Sequence, residues 1–163
     1  MGAVEAVFNK LGGEKGAKRF LRGELEVVEK KHTIDCDAPP FVPEGWEVVE
    51  HQSGGQFVCN LDGIELYLAD EQRQGSIDGH ELRRKLEGRL SLNANVLDYL
   101  LKHPELIPDK WRGKYIFFWG TIYRDSDGNL YVRCLDWDHE EWSWRFGWLD
   151  GPWDDDYPAL LRK

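Results

Sequence analysis

Residues 114–149 read KYIFFWGTIYRDSDGNLYVRCLDWDHEEWSWRFGWL, and the fold is decided by how they are parsed. From Lys114 to Tyr123 the side chains alternate as a strand requires. Tyr115, Phe117, Trp119, Thr121 and Tyr123 fall on one side, and Ile116, Phe118 and Ile122 on the other. Both sides are apolar, which predicts a central strand covered on both faces. Gly120 interrupts the run and marks a bulge or a close contact. The segment Arg124 to Asn129 carries Asp127-Gly128, a strong hairpin signal between β-rich runs. A second strand follows over Leu130 to Trp137, a turn over Asp138 to Glu141, and a third strand over Trp142 to Leu149. On that third strand Trp142, Trp144, Phe146 and Trp148 share one face, and Ser143, Arg145 and Gly147 the other. This alternation predicts one buried and one wet face.

Seven of the eight tryptophans lie between Trp111 and Trp153, more than one strand face can hold, so some are expected to stay accessible. Two fates compete for the aromatic stripe. It is core, covered by an N-terminal helix, or part of it is a platform on which a partner stacks.

Upstream of the meander, Asn93 to His103 (NANVLDYLLKH) is a helix with Val96, Leu97, Leu100 and Leu101 as its apolar stripe, capped by Asn93 or Asn95 and stopped by Pro104. Asp78 with Glu81 three residues later opens another helix, which Gly88 closes. Residues 70–75 read as a polar loop. Ile64 to Leu68 is a strand. Trp46 to His51 and Gln56 to Asn60 form a hairpin across Ser53-Gly54-Gly55. Residues 34–45, with Pro39, Pro40 and Pro43, form an irregular loop and a sub-boundary. Glu24 to Thr33 begins strand-like through Leu25, Val27 and Val28. Residues 3–23 make a helical hairpin about Gly12-Gly13, either a helix-turn-helix or a small hairpin packed on the sheet. Residues 150–163 form an acidic docking tail. The chain is expected to be one α+β domain, 1–163, in which a Trp-rich antiparallel β-meander in the C-terminal half carries short packed helices.

The formal net charge of −9 argues against direct binding to nucleic acid, whose partners carry a basic surface. It suits a protein partner with a basic face. Cys36, Cys59 and Cys134 are odd in number, widely spaced and without a CxxC, which predicts reduced thiols and a cytoplasmic protein. No signal-peptide core and no membrane span are read in the sequence.

The run LNANVLDYLLKHPELIPDKWRGKYIFFWGTIYRDSDGNLYVRCLDW, with the later WSWRFGWLD, resembles a set of small uncharacterised bacterial hypothetical proteins. The resemblance spans residues 64–158. It implies a bacterial, self-contained domain and carries no activity with it.

The candidate chemistry follows from residue types. Trp142, Trp144, Arg145, Trp148, Trp153 and Tyr157 are the residue kinds that anchor interfaces, and they are taken as the binding set. Asp136, Asp138, Glu140, Glu141, Asp154, Asp155 and Asp156 form an acidic cluster beside them. The function expected is a non-enzymatic protein-binding domain using this acidic, aromatic sheet face. A module that stacks a sugar or base is the first alternative. An acidic inhibitor of a nucleic-acid-binding partner is the second. An enzyme using Asp136, Asp138 and His139 is a further reading that no spacing motif supports. Asp125-x-Asp127-Gly128 does not complete a calcium loop, since Gly128 falls at its fourth position and Asp136 at its twelfth. His32, Cys36 and Cys59 lack the paired spacing of a zinc site. No cofactor fingerprint or nucleophile elbow is present, so no catalytic residue, metal or cofactor is assigned.

Overall fold

The computed structural model describes residues 2–26, 28 and 31–163. The chain divides into two compact units, Met1–Lys31 and His32–Lys163. In the first, α1 (Ala3–Lys10) and α2 (Gly13–Leu21) form a hairpin across the expected glycine turn. The strand read over residues 24–33 falls partly on Val27, Glu29 and Lys30, which lie outside the described residues.

The second unit is α+β, as expected. In chain order it holds β1 (Thr33–Asp35), β2 (Glu47–His51), β3 (Gln56–Val58), β4 (Ile64–Tyr67), α3 (Asp70–Gln74), β5 (Ile77–Asp78), α4 (Gly79–Leu86) and α5 (Ala94–Lys102). There follow β6 (Ile116–Phe117), β7 (Thr121–Arg124), β8 (Leu130–Asp138), β9 (Glu141–Trp148), β10 (Pro152–Trp153) and β11 (Ala159–Arg162). The main sheet has seven strands in the order β2-β7-β8-β6-β11-β4, with β9 also paired to β8. All its pairings are antiparallel except β6 with β11.

The strand expected over Lys114 to Tyr123 is two strands. Phe117 pairs with Cys134 and Tyr123 with Tyr131, so six steps on one side (123 − 117) match three on the other (134 − 131). Three extra residues are an odd number, so the alternation changes face across the break. Phe117 and Trp119 share a core cluster with Ile122, while Ile116 and Phe118 lie in the other cluster. Tyr123 and Thr121 therefore leave the side the unbroken pattern gave them. Gly120 sits at the break and is the close contact expected. A Cβ there would fall 2.7 Å from the Ser91 carbonyl oxygen and 2.9 Å from Asn93 Cα.

Both faces of the sheet are covered. On one, Ile116, Phe118, Leu135 and Leu160 pack with Val96, Leu97 and Leu100 of α5. The cover over this aromatic side is thus α5. Asn93 caps α5 by accepting from Asn95 N. On the other face Phe117, Trp119, Val132, Cys134 and Leu161 pack with Ile77, Leu82, Leu86 and Trp153. Asp78 caps α4 as predicted, accepting from the backbone N–H of His80 and Glu81.

Four further expectations are corrected. β3 does not pair with β2; it pairs with β1, which itself begins the stretch read as loop, while β2 pairs with β7. The N–H groups of Gly54 and Gly55 both donate to Asp37 Oδ1, which binds the turn to the Pro-rich segment. Residues 70–74 are the short helix α3, not a loop, because the buried Gln72 amide gives it a polar anchor. Gln72 Oε1 accepts from Ala69 N, and Nε2 donates to the carbonyls of Asp154 and Tyr157. The docking tail is not a tail: β10 pairs with β5, β11 lies between β6 and β4, and Trp153, Ala159, Leu160 and Leu161 are buried.

Candidate functional site

β9 is an edge strand. It turns back from β8 through His139 and Glu140, both at positive φ (49° and 64°), as a two-residue hairpin requires. The register sets Tyr131, Arg133, Leu135 and Trp137 opposite Trp148, Phe146, Trp144 and Trp142. The aromatic stripe of β9 grades along its length. Trp142 and Trp144 are half-buried against the α5 core, whereas Phe146 and Trp148 are 53% and 46% exposed. The stripe is therefore neither wholly core nor wholly a wet platform.

The opposite face of β9 carries Ser143, Arg145 and Gly147. Gly147 leaves room for two rings: a Cβ would fall 2.6 Å from Trp153 Cη2 and 2.8 Å from Phe117 Cε1. Phe117 and Trp153 meet edge to face with centroids 4.3 Å apart, and Tyr157 stands 5.7 Å from Phe117 and 5.9 Å from Trp153. Tyr115 meets Tyr157 at 5.4 Å. The Trp153 indole donates to the Trp148 carbonyl, 3.2 Å away. These residues enclose a cleft of about 290 Å³ with Arg145, Trp148 and Pro152 at its sides. Its floor, Phe117 and Trp153, is buried, and its walls Tyr115 and Tyr157 are half-exposed.

The charges beside this cleft are lopsided. Arg145 donates from Nε to Asp136 (2.5 Å) and from Nη2 to Asp138 (2.9 Å), so its cation is already matched. The Asp154, Asp155 and Asp156 carboxylates lie within 4.8 Å of one another. Lys114 Nζ donates to the Asp155 carbonyl. Five carboxylates against Arg145 and Lys114 leave an excess of three negative charges. Partial burial, then Asp154, Tyr115 and Asp156, raise the Tyr157 phenol above its ordinary value. Burial pushes the Cys134 thiol up to about 12, so the sulfur beneath the cleft is a neutral packing atom.

Four of the six residues taken as the binding set, Arg145, Trp148, Trp153 and Tyr157, thus meet in one cleft, although Trp153 serves as floor. Trp142 and Trp144 point elsewhere. Trp144 lines a second cleft of about 600 Å³ with Phe41, Asp98, Tyr99 and Arg133. The acidic cluster is likewise divided: Asp136 and Asp138 on β8 hold Arg145, Glu140 and Glu141 form the hairpin end, and Asp154–Asp156 make a separate loop. Tyr115 and Gln72 were not in the set. Tyr115 had the signal of sharing a strand face with Phe117. Gln72 had none, because a lone amide in a polar run acquires its meaning from the two carbonyls it reaches.

Of the Asp136, Asp138 and His139 grouping, the His139 ring meets Asp138 at 3.0 Å, while Asp136 is bound to Arg145. His139 is exposed at the hairpin tip, where its N–H donates to its neighbour Asp138. Cys36, Cys59 and Cys134 are free thiols. No family model, no curated protein and no solved structure matches the chain. Among the described residues, no helix is long and apolar enough to cross a membrane.

Proposed function

We propose that the protein is a non-enzymatic binding domain that receives a cationic side chain of a basic protein partner in the cleft of Tyr115, Phe117, Trp148, Trp153 and Tyr157. The observation that carries this reading is the coincidence of an aromatic-lined cavity with an excess of carboxylates. Ring faces attract an ammonium or guanidinium group electrostatically. The surrounding carboxylates steer such a partner toward the cleft and discriminate against an acidic one. Arg145 does not oppose it, because Asp136 and Asp138 neutralise that charge.

The test is fluorescence anisotropy of a labelled lysine-rich peptide and of its glutamine-for-lysine analogue. The lysine peptide is expected to bind and the analogue not. Tyr157→Ala and Tyr115→Ala are each expected to weaken binding about fivefold, the weight of one solvent-exposed cation–ring contact. Unchanged affinity in both variants, with the fold intact by circular dichroism, rejects the cleft as the site.

A second reading is supported by the Trp144 cleft. Trp144 and Phe41 meet edge to face at 6.2 Å, and the Arg133 guanidinium lies 4.5 Å from the Trp144 ring and 5.0 Å from that of Phe41. Such walls suit a flat polar ring, a sugar or a base. Titration with adenosine and with a methyl glucoside, followed by tryptophan fluorescence in the wild type and in Trp144→Phe, distinguishes it from the first.

A further inference from the structure

A third cleft, of about 540 Å³, lies between α4 and the β2 strand, with Trp119 and Gly120 of the broken strand among its lining. Its chemistry is opposite to that of the protein as a whole. Residues 32–163 carry 14 Lys and Arg against 25 Asp and Glu, a formal charge of 14 − 25 = −11. Yet four of those basic residues, Arg83, Arg84, Lys85 and Arg89, fall within seven consecutive positions, and the three arginines line this cleft.

Most of the carboxylates near these arginines are already matched. Arg83 pairs with Glu50. His80 Nε2 stands 2.5 Å from Asp150 Oδ1, and Lys85 is engaged by Glu71, which raises the ammonium above its ordinary value. Arg84 and Arg89 have no carboxylate partner among the described residues. Arg89 is oriented even so: its guanidinium stacks on the Tyr67 ring at 4.2 Å, and its carbonyl accepts from Gln52 Nε2. A guanidinium fixed by stacking keeps its fork of N–H donors for a bidentate oxygen ligand. Independently, the Trp119 indole Nε1 is buried and has no hydrogen-bond partner among the described residues. Buried N–H groups are rarely left so. Trp119 lines the same cleft, and an oxygen lodged against it supplies the acceptor that the protein does not.

We infer that this cleft binds a phosphate-class oxyanion, gripped by Arg84 and Arg89 over Trp119. Glu87, which also lines the cleft and has no cationic partner among the described residues, opposes it.

The test is titration of inorganic phosphate into the ¹⁵N-labelled full chain at ionic strength held constant with sodium chloride, following the indole N–H resonances. The expected result is saturable binding in which the Trp119 resonance, assigned with Trp119→Phe, moves most. Arg84→Gln and Arg89→Gln are each expected to weaken it about tenfold, the loss of a charge-assisted hydrogen bond. Glu87→Gln is expected to tighten it. Arg112→Gln, outside the cleft, is expected to bind like the wild type. A linear, unsaturable response overturns the proposal. So does equal affinity in the wild type and both cleft arginine variants, or a loss in Arg112→Gln as large as theirs, which would report net charge alone.

Discussion

Arg133 of β8 and Asp98 of α5 form a two-pronged ion pair, with Nη2 2.8 Å from Oδ1 and Nη1 3.2 Å from Oδ2. Arg133 is 1% exposed, so a full charge sits inside the fold on the face that α5 covers. Its partner's side chain is only 25% exposed, and the rings of Phe41 and Trp144 close over the guanidinium. Removing the carboxylate strands that charge. Asp98→Ala is expected to cost about 3–5 kcal/mol in urea unfolding, whereas the double change Asp98→Leu with Arg133→Met costs much less. Equal losses in the two would mean that the pair contributes through packing alone.

Gly147 is the position on β9 where a side chain cannot be accommodated. The three nearest atoms that a Cβ would meet all belong to rigid buried rings, Trp153 and Phe117. Gly147→Ala is expected to destabilise by about 1–3 kcal/mol through overpacking. It should also alter the near-ultraviolet dichroism of the ring cluster, which a change confined to the exposed edge would not.

Glu140 occupies a left-handed backbone position at the tip of the β8–β9 hairpin, with φ of 64°. A side chain there costs roughly 1–2 kcal/mol, of which glycine's greater unfolded-state freedom takes back about half. Glu140→Gly is therefore expected to stabilise by about 0.5–1 kcal/mol, read as a higher urea midpoint at unchanged slope. A lower midpoint would place the strain elsewhere.

Asp125 gives the 124–129 turn a pH dependence. Its carboxylate accepts from Asn129 Nδ2 and N, Tyr131 Oη and Asp127 N, and these bonds, led by the Asn129 side chain, hold it below its ordinary value near 3.8. A lowered folded value means that stabilisation is complete above pH 3.8 and is lost as pH falls through the folded value. Asp125→Asn is expected to lower stability at neutral pH and to flatten the acid limb below about pH 4, its curve converging on that of the wild type as the wild-type carboxylate protonates. An unaltered acid limb would assign that limb to other carboxylates.

What was legible in the sequence was local. The Asp127-Gly128 turn, the Asn93 cap of α5, the Asp78 cap of α4 and the alternation of β9 each depend on residues a few positions apart. What was not legible depends on distant partners. The glycine turn at residues 53–55 suggested a β2–β3 hairpin, but its amides are claimed by Asp37, and β3 is left to pair with β1. Trp153 stands alone among acidic and turn residues, so no periodicity betrayed that it floors a cleft on the far side of β9. The division of the binding set has the same cause. Alternation placed Trp142 and Trp144 opposite Arg145, but nothing local indicated that Tyr115 and Tyr157 would converge on the arginine's side. Nothing local set the arginines of the third cleft apart, because their meaning comes from the Trp119 indole, which the fold brings to the same cleft.

The position of β11 bears on how the domain is made. Ile64 pairs with Arg162, so β4 is synthesised 162 − 64 = 98 residues before the strand that joins it to the sheet. Throughout that interval the apolar residues Ile64 and Leu66 have no place in the main sheet, and β6, once made, lacks a neighbour on one side until β11 follows. Closing so long a loop late is slow, because its entropy is lost before the pairing compensates for it. The nascent chain thus carries β4 unpaired through more than half of its elongation, and the period of greatest exposure to aggregation is set by ribosome speed more than by the stability of the finished fold.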